Sequence, residues 1–189
     1  MEEHLADLSL RELLERFAAR TPAPGGGSAV AVTCALAAGL VEMSAAFSQA
    51  PEADQVAARA SELRSRALDL AEVELRSYAP VLAALSLPAS DPERPQRMAT
   101  ARSSASEAPL RLAETGAELA ELASGAARTG SPHVAGDAIT AALLAEGACR
   151  SAAQLVAINL HGNGDDPRPQ RAGELSRHAA AARDAALEV

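Results

Sequence analysis

Apolar residues recur along this chain every three or four positions and almost never in strict alternation, the spacing of helices that bury one stripe each. Ser9 followed by Glu12 has the spacing of a capping box ahead of "LLERFAAR", a short amphipathic helix. The Pro/Gly stretch Thr21–Gly27 ends it, and Ser28 is placed to cap a second helix reaching about Phe47. Pro51 suits the start of a third helix running to about Leu87, with Pro80 inside it as a kink. After the loop "LPASDPERP", a fourth helix covers about Glu93–Ala127, bent at Pro109. "RTGSPHVAGD" leads into a fifth ending near Leu160, and the turn-rich "HGNGDDPRP" precedes a last helix over about Gln170–Leu187. No repeat is visible. The pattern predicts an all-α, single-domain bundle of about six helices spanning residues 1–189.

The same periodicity assigns faces. In the third helix Leu63, Leu70, Glu74, Val81 and Leu85 share a stripe, whereas Glu72 points away beside Arg76, a surface ion-pair partner four residues on. Glu74 is thus a carboxyl on an apolar face, which is costly unless it is paired. It serves either an internal salt bridge or acid/base chemistry. In the fifth helix Asp137, Leu144, Ala148 and Leu155 share a stripe, with Glu146 and Arg150 opposite. Asp137 is either a helix cap after Gly136 or an inward-facing functional acid. His133, four residues earlier, is a cap or surface group, or a neighbour of that acid.

Composition sharpens this picture. The chain is 48% hydrophobic but only 2% aromatic, so its core must come from Ala, Leu and Val. A formal charge of -8 argues against nucleic acid or an anionic membrane as the partner. There is no lysine, which excludes Schiff-base chemistry. Cys34 and Cys149 read as small core residues in a reducing compartment, and no cluster has metal-ligand spacing. "MEEHLADL" lacks the features of a signal peptide, and the apolar run Ala29–Val41 is closed by Glu42, short of the roughly 20 residues of a span. A cytoplasmic protein is expected. Small residues at Ala31, Ala35, Ala38 and Gly39 permit close helix approach and suggest a homodimer or higher oligomer.

The stretch Pro24, Gly25, Gly26, Gly27, Ser28 remains. It is either a tight interhelical turn or an anion site made by free N–H groups at a helix start. No lysine follows, as a P-loop requires, and no strand precedes, as a dinucleotide fingerprint requires.

"FAARTPAPGGGSAVAVTCALAAGLVEM" resembles the opening of the cyclodeaminase/cyclohydrolase family. "YAPVLAALSLP", "EAPLRLAE" and "GDAITAALLAEGACRSAAQLVAINL" resemble its later segments. The resemblance implies an all-helical, dimeric folate enzyme that opens or closes the N5–N10 methenyl bridge of tetrahydrofolate. It implies a tetrahydrofolate derivative as substrate, no cofactor and no metal. It assigns ligand binding to the Gly25–Ser28 loop and catalytic roles to Glu74 and Asp137; Pro24 and Asn159 stand beside the loop as candidate ligand-binding residues and His133 as a candidate catalytic one. Glu74 stands where the family has Asp, Gly136 where it has Ser, and His133 where it has an amide. "SAAFSQAPEADQ" replaces a lysine-rich stretch. Two other readings stand beside this one: a non-catalytic folate-binding module, and a helical oligomerisation module.

Overall fold

The computed structural model describes residues 4–162 and 164–189, and every regular element among them is helical. A 3-10 turn, Leu5–Asp7, precedes α1 (Leu10–Ala18), α2 (Gly26–Ala46), α3 (Ala53–Ser77), α4 (Ala79–Leu85), α5 (Arg94–Ser104) and α6 (Glu107–Thr129). A second 3-10 turn, Pro132–Val134, leads into α7 (Ala135–Asn159), and α8 (Arg168–Leu187) closes the order. The expected third and fourth helices are each interrupted. The first breaks at Tyr78, two residues before Pro80, because the proline has no N–H to give to the Arg76 carbonyl one turn earlier and its ring crowds that carbonyl. The second breaks at Ala105–Ser106, ahead of Pro109. The capping box at Ser9 forms as expected: the Glu12 N–H donates to the Ser9 hydroxyl and the Ser9 N–H to the Glu12 carboxylate.

The core is built mainly from alanine. α2, α3, α6 and α7 meet through Ala31, Ala37, Ala38, Ala67, Ala120 and Ala145, all inaccessible, with Leu63, Leu112 and Leu119 filling the wider gaps. Gly116 marks the tightest approach: a Cβ there would stand 3.0 Å from the Ala145 carbonyl and from the Cys149 Cβ. Cys149 donates to the Ala113 carbonyl at 3.2 Å. Burial pushes both thiols up to about 12, so neither is a nucleophile at neutral pH.

Three local expectations are corrected. Ser28 does not cap α2. The helix starts three residues earlier, at Gly26 with Gly25 as N-cap, and the buried Ser28 hydroxyl donates to the Ala71 carbonyl of α3 at 3.2 Å. Glu72 keeps the Arg76 partner expected for it but not the expected exposure. It is largely buried, accepts the Leu5 N–H, and lies 3.6 Å from His4 and 3.7 Å from Arg76. Glu146 faces inward, not outward. It is 4% exposed under α8, with Arg150 and Arg183 each 3.5 Å away.

Both α2 and residues 132–159 are long and apolar enough to cross a membrane. In this fold they are the two central helices. They run antiparallel, since Gly26 at the start of α2 meets Leu155 near the end of α7.

Candidate functional site

The site forms where three chain breaks converge. The Pro/Gly loop delivers the start of α2, the α3–α4 break delivers Ser77 and Tyr78, and the end of α7 delivers Leu155, Ile158 and Asn159. Together with Glu74, Ala105 and Pro109 they enclose a pocket of about 250 Å3. That is below the roughly 300–1,000 Å3 that encloses a drug-sized ligand. A larger depression of about 740 Å3 lies between α3, α6 and α8. Its walls pair Arg66 with Glu114 and His178 with Glu121 across the helices, and among the described residues it holds no unpartnered buried group.

Glu74 dominates the smaller pocket. It rises from the last turns of α3 and lays its carboxyl against the backbone of Gly27, so that a Cβ on Gly27 would overlap the carboxyl group. This explains one of the three glycines physically: a side chain there would occupy the space of the acid. A Cβ on Gly26 would stand 4.0 Å from the Leu155 side chain, leaving room for a small group, and Gly25 supplies the extended N-cap. Glu74 Oε1 is buried and has no hydrogen-bond partner among the described residues. Burial alone pushes its pKa up to about 7, so at neutral pH it exchanges a proton readily. No arginine lines the pocket. The internal salt bridge that the sequence allowed for Glu74 is therefore absent among the described residues. Gly26, Gly27 and Ser28 precede the first intrahelical N–H bond of α2, which is donated by Ala29 to Gly25. The positive end of that helix thus faces the carboxyl.

The other sequence candidates divide. Gly25, Gly26, Gly27, Ser28 and Asn159 line the pocket. The Asn159 amide donates to the Ala105 carbonyl at 3.0 Å, pinning the end of α7 to the α5–α6 break. Pro24 is buried behind the loop rather than at its lining. Asp137 and His133 sit at the opposite end of α7, about 27 Å from Leu155 at 1.5 Å per residue, and do not join Glu74 within one chain. Asp137 is half-buried in the first turn of α7, and Val134 rather than Asp137 is the N-cap. His133 is exposed, its N–H bonded to the Ser131 hydroxyl. Tyr78 went unmarked as a site residue in the sequence, although it is the only tyrosine and follows the Glu74 stripe by one turn.

With this geometry in hand, comparison with known proteins is informative. The family described as formiminotransferase-cyclodeaminase matches residues 9–174. The chain belongs to that family. Formimidoyltransferase-cyclodeaminase of Rattus norvegicus is 31% identical over 177 residues, covering 87% of this chain and 33% of the rat protein. Methenyltetrahydrofolate cyclohydrolase of Methylorubrum extorquens is 30% identical over 169 residues, covering 83% of this chain and 81% of its own length. The crystal structure of formiminotetrahydrofolate cyclodeaminase from Thermotoga maritima superposes with a TM-score of 0.83 at 25% identity, over 98% of this chain and 94% of the other. The chain spans only about a third of the rat protein and about a quarter of its mouse counterpart. The family match runs from the capping box of α1 into α8 and so includes every element that builds the pocket.

Proposed function

We propose that this protein is a folate one-carbon enzyme acting on the N5–N10 methenyl bridge of tetrahydrofolate, with hydrolysis of the methenyl group as the reaction its pocket supports best. The observation that carries this reading is the unpartnered, buried Glu74 carboxyl against Gly27, in a pocket without a cation. A methenyl bridge is an amidinium cation. An ionised Glu74 favours its entry and faces the electrophilic carbon. Water adds to that carbon while Glu74 takes its proton. One C–N bond then breaks, Glu74 passes its proton to the departing nitrogen, the hydroxyl proton is released to water, and a formyl group remains on the other nitrogen. A pKa near the working pH suits both transfers. The deaminating ring closure named for the Thermotoga structure needs the same acid/base group at the same carbon and is the second reading. Neither reaction needs a redox cofactor. The α2 N–H groups and Asn159 orient the ligand, Tyr78 adds an aromatic ring to the pocket lining, and a homodimer in the cytoplasm is the expected setting.

The test is loss of methenyl absorbance under turnover, with parent and Glu74→Gln protein side by side. Turnover in the parent that collapses in the variant supports the proposal. Binding without turnover in the parent shifts the reading to a folate-binding module, and absence of both shifts it to an oligomerisation module.

A further inference from the structure

The break between α5 and α6 builds part of the Glu74 pocket. Ala105 and Pro109 line it, and the Ala105 carbonyl holds the Asn159 amide at 3.0 Å. The segments that lead into this break are loosely held by the bundle. α4 and α5 pack chiefly on each other, around Val81, Met98, Ala101 and Ala105, in a cluster separate from the main core. The chain leaves the bundle at Tyr78 and returns at Ala105, and both residues line the pocket. A hairpin with so small a core of its own would carry the pocket wall along as it moved.

One side chain ties the break down. Arg168 opens α8 between Pro167 and Pro169, in the stretch "HGNGDDPRP" whose composition marks it as a turn-rich linker. Each proline fixes its own φ and so stiffens the backbone on either side of the arginine. A guanidinium has five N–H groups, and all five of Arg168 meet acceptors. Nε donates to Asp166 Oδ1 at 3.0 Å and Nη2 to Asp166 Oδ2 at 2.7 Å. Nη2 also donates to the Ser103 hydroxyl at 2.7 Å, and Nη1 donates to the Ser103 carbonyl at 2.9 Å and to the Glu107 carboxylate. Ser103 belongs to the last turn of α5 and Glu107 is the first residue of α6, so one guanidinium grips both sides of Ala105–Ser106. Arg168 and Asp166 are largely buried, and solvent screens the grip little. The docking of α8 itself is served by the buried Ala172, Ala179 and Ala186. What the arginine adds is control of the break.

We propose that Arg168 is a positioning residue for the Glu74 site: by gripping Ser103 and Glu107 it fixes Ala105, and with Ala105 the pocket wall and the Asn159 amide. Its effect on rate rests on the proposed function, whereas its effect on the pocket does not. With the grip released, water reaches the Glu74 carboxyl. The pocket residues around that carboxyl, from α2, α6, α7 and the two breaks, include no other charged group and only Tyr78 as a second titratable one. Burial alone holds the Glu74 pKa up, so wetting lowers it toward 4.5.

Arg168→Lys keeps the charge, but a single ammonium does not span Ser103, Glu107 and Asp166 together. In folded protein, checked by circular dichroism, kcat should fall about tenfold with KM within about threefold of the parent. Ser103→Ala, which removes one acceptor, should lose less, and it takes over the test if the lysine variant does not fold. Combined with Asn159→Ala, the loss from Arg168→Lys should be clearly smaller than the product of the separate losses, because both side chains act through Ala105. Losses that simply multiply, or a raised KM with unchanged kcat, overturn the positioning role. A second readout needs no substrate. In protein carrying 13C at its glutamate carboxyls, the Glu74 signal, identified by its absence in Glu74→Gln, should titrate about one pH unit lower in Arg168→Lys than in the parent. An unchanged titration overturns the inference, whatever the rates. A shifted titration in a protein whose parent does not hydrolyse methenyltetrahydrofolate refutes the proposed function and leaves the positioning role standing.

Discussion

Glu72 and Glu74 leave α3 two residues apart, on opposite sides of the helix, and both are largely removed from solvent. Glu72 is surrounded by partners: the Leu5 N–H, His4 and Arg76. Its Oε1 fastens the N-terminal turn whose Leu5 is buried in the core at 2% exposure. Glu74 has apolar surroundings, the Gly27 backbone, and no partner for Oε1. An acid whose hydrogen bonds are made is spending its polarity on the fold. One left without partners is costly to the fold and free for a ligand. The difference lies in what the neighbouring segment offers: N–H groups and cations at the first, a pocket at the second.

Glu74→Gln should break the comparison most severely. The amide keeps the volume but cannot exchange a proton at neutral pH. The expected loss in methenyl hydrolysis is about 10²–10⁴-fold, measured as the initial rate of absorbance decay. Undiminished rates would remove Glu74 from the chemistry.

Gly27→Ala probes the same acid from the other side. The overlapping atoms belong to the far end of the Glu74 side chain, which can swing away, so global stability should change by less than about 1 kcal/mol. The carboxyl is nevertheless displaced by about an ångström or more, and misplacement on that scale costs about 10²-fold in rate. Circular dichroism melts together with turnover decide. A lowered melting temperature with normal turnover would mean that Gly27 serves packing alone.

Glu72→Ala is the mirror experiment. It removes an anchor for the Leu5–Asp7 turn and leaves the pocket intact. Urea unfolding should show about 1.5–3 kcal/mol of destabilisation, the range for a hydrogen bond to a charged group, with turnover per folded molecule unchanged. A rate loss comparable to that of Glu74→Gln would erase the distinction between the two acids.

Helical periodicity was enough to place Glu74 on the buried side of α3, because Leu63 and Leu70, eleven and four residues earlier, leave it no other side. It was not enough for Glu72 or Glu146. Each is opposite its helix's main apolar stripe, and each is covered by an element far away in sequence: the N-terminal turn for Glu72, α8 for Glu146. Single-helix geometry has no access to a second layer. The prolines marked both helix breaks, though each break falls one or more residues ahead of its proline. The Ser28 cap failed because a glycine can be an N-cap without a side-chain bond, so the helix began earlier than the nearest hydroxyl. Asp137 and Glu74 looked like one site because both face inward. Only the length of α7 shows that they occupy opposite ends.

The smallest expected effect is on stability as pH changes. Glu74 titrates near 7 in the folded chain, against 4.5 for an unperturbed glutamate. Below pH 4.5 both folded and unfolded chains hold its proton, and the residue is neutral to stability. Between 4.5 and 7 the unfolded chain loses the proton while the folded chain keeps it. The unfolded state then binds fewer protons, so stability falls as pH rises through this window and levels off above it. The Gln variant has no such proton to lose. Its stability minus that of the parent should start near zero at pH 4.5 and rise to on the order of 1 kcal/mol by pH 8, once the partial exposure of the group is allowed for. Urea midpoints for the two proteins across that range read the difference directly. A gap that is constant with pH would mean that Glu74 finds a partner in solution, and with that the contrast with Glu72 would disappear.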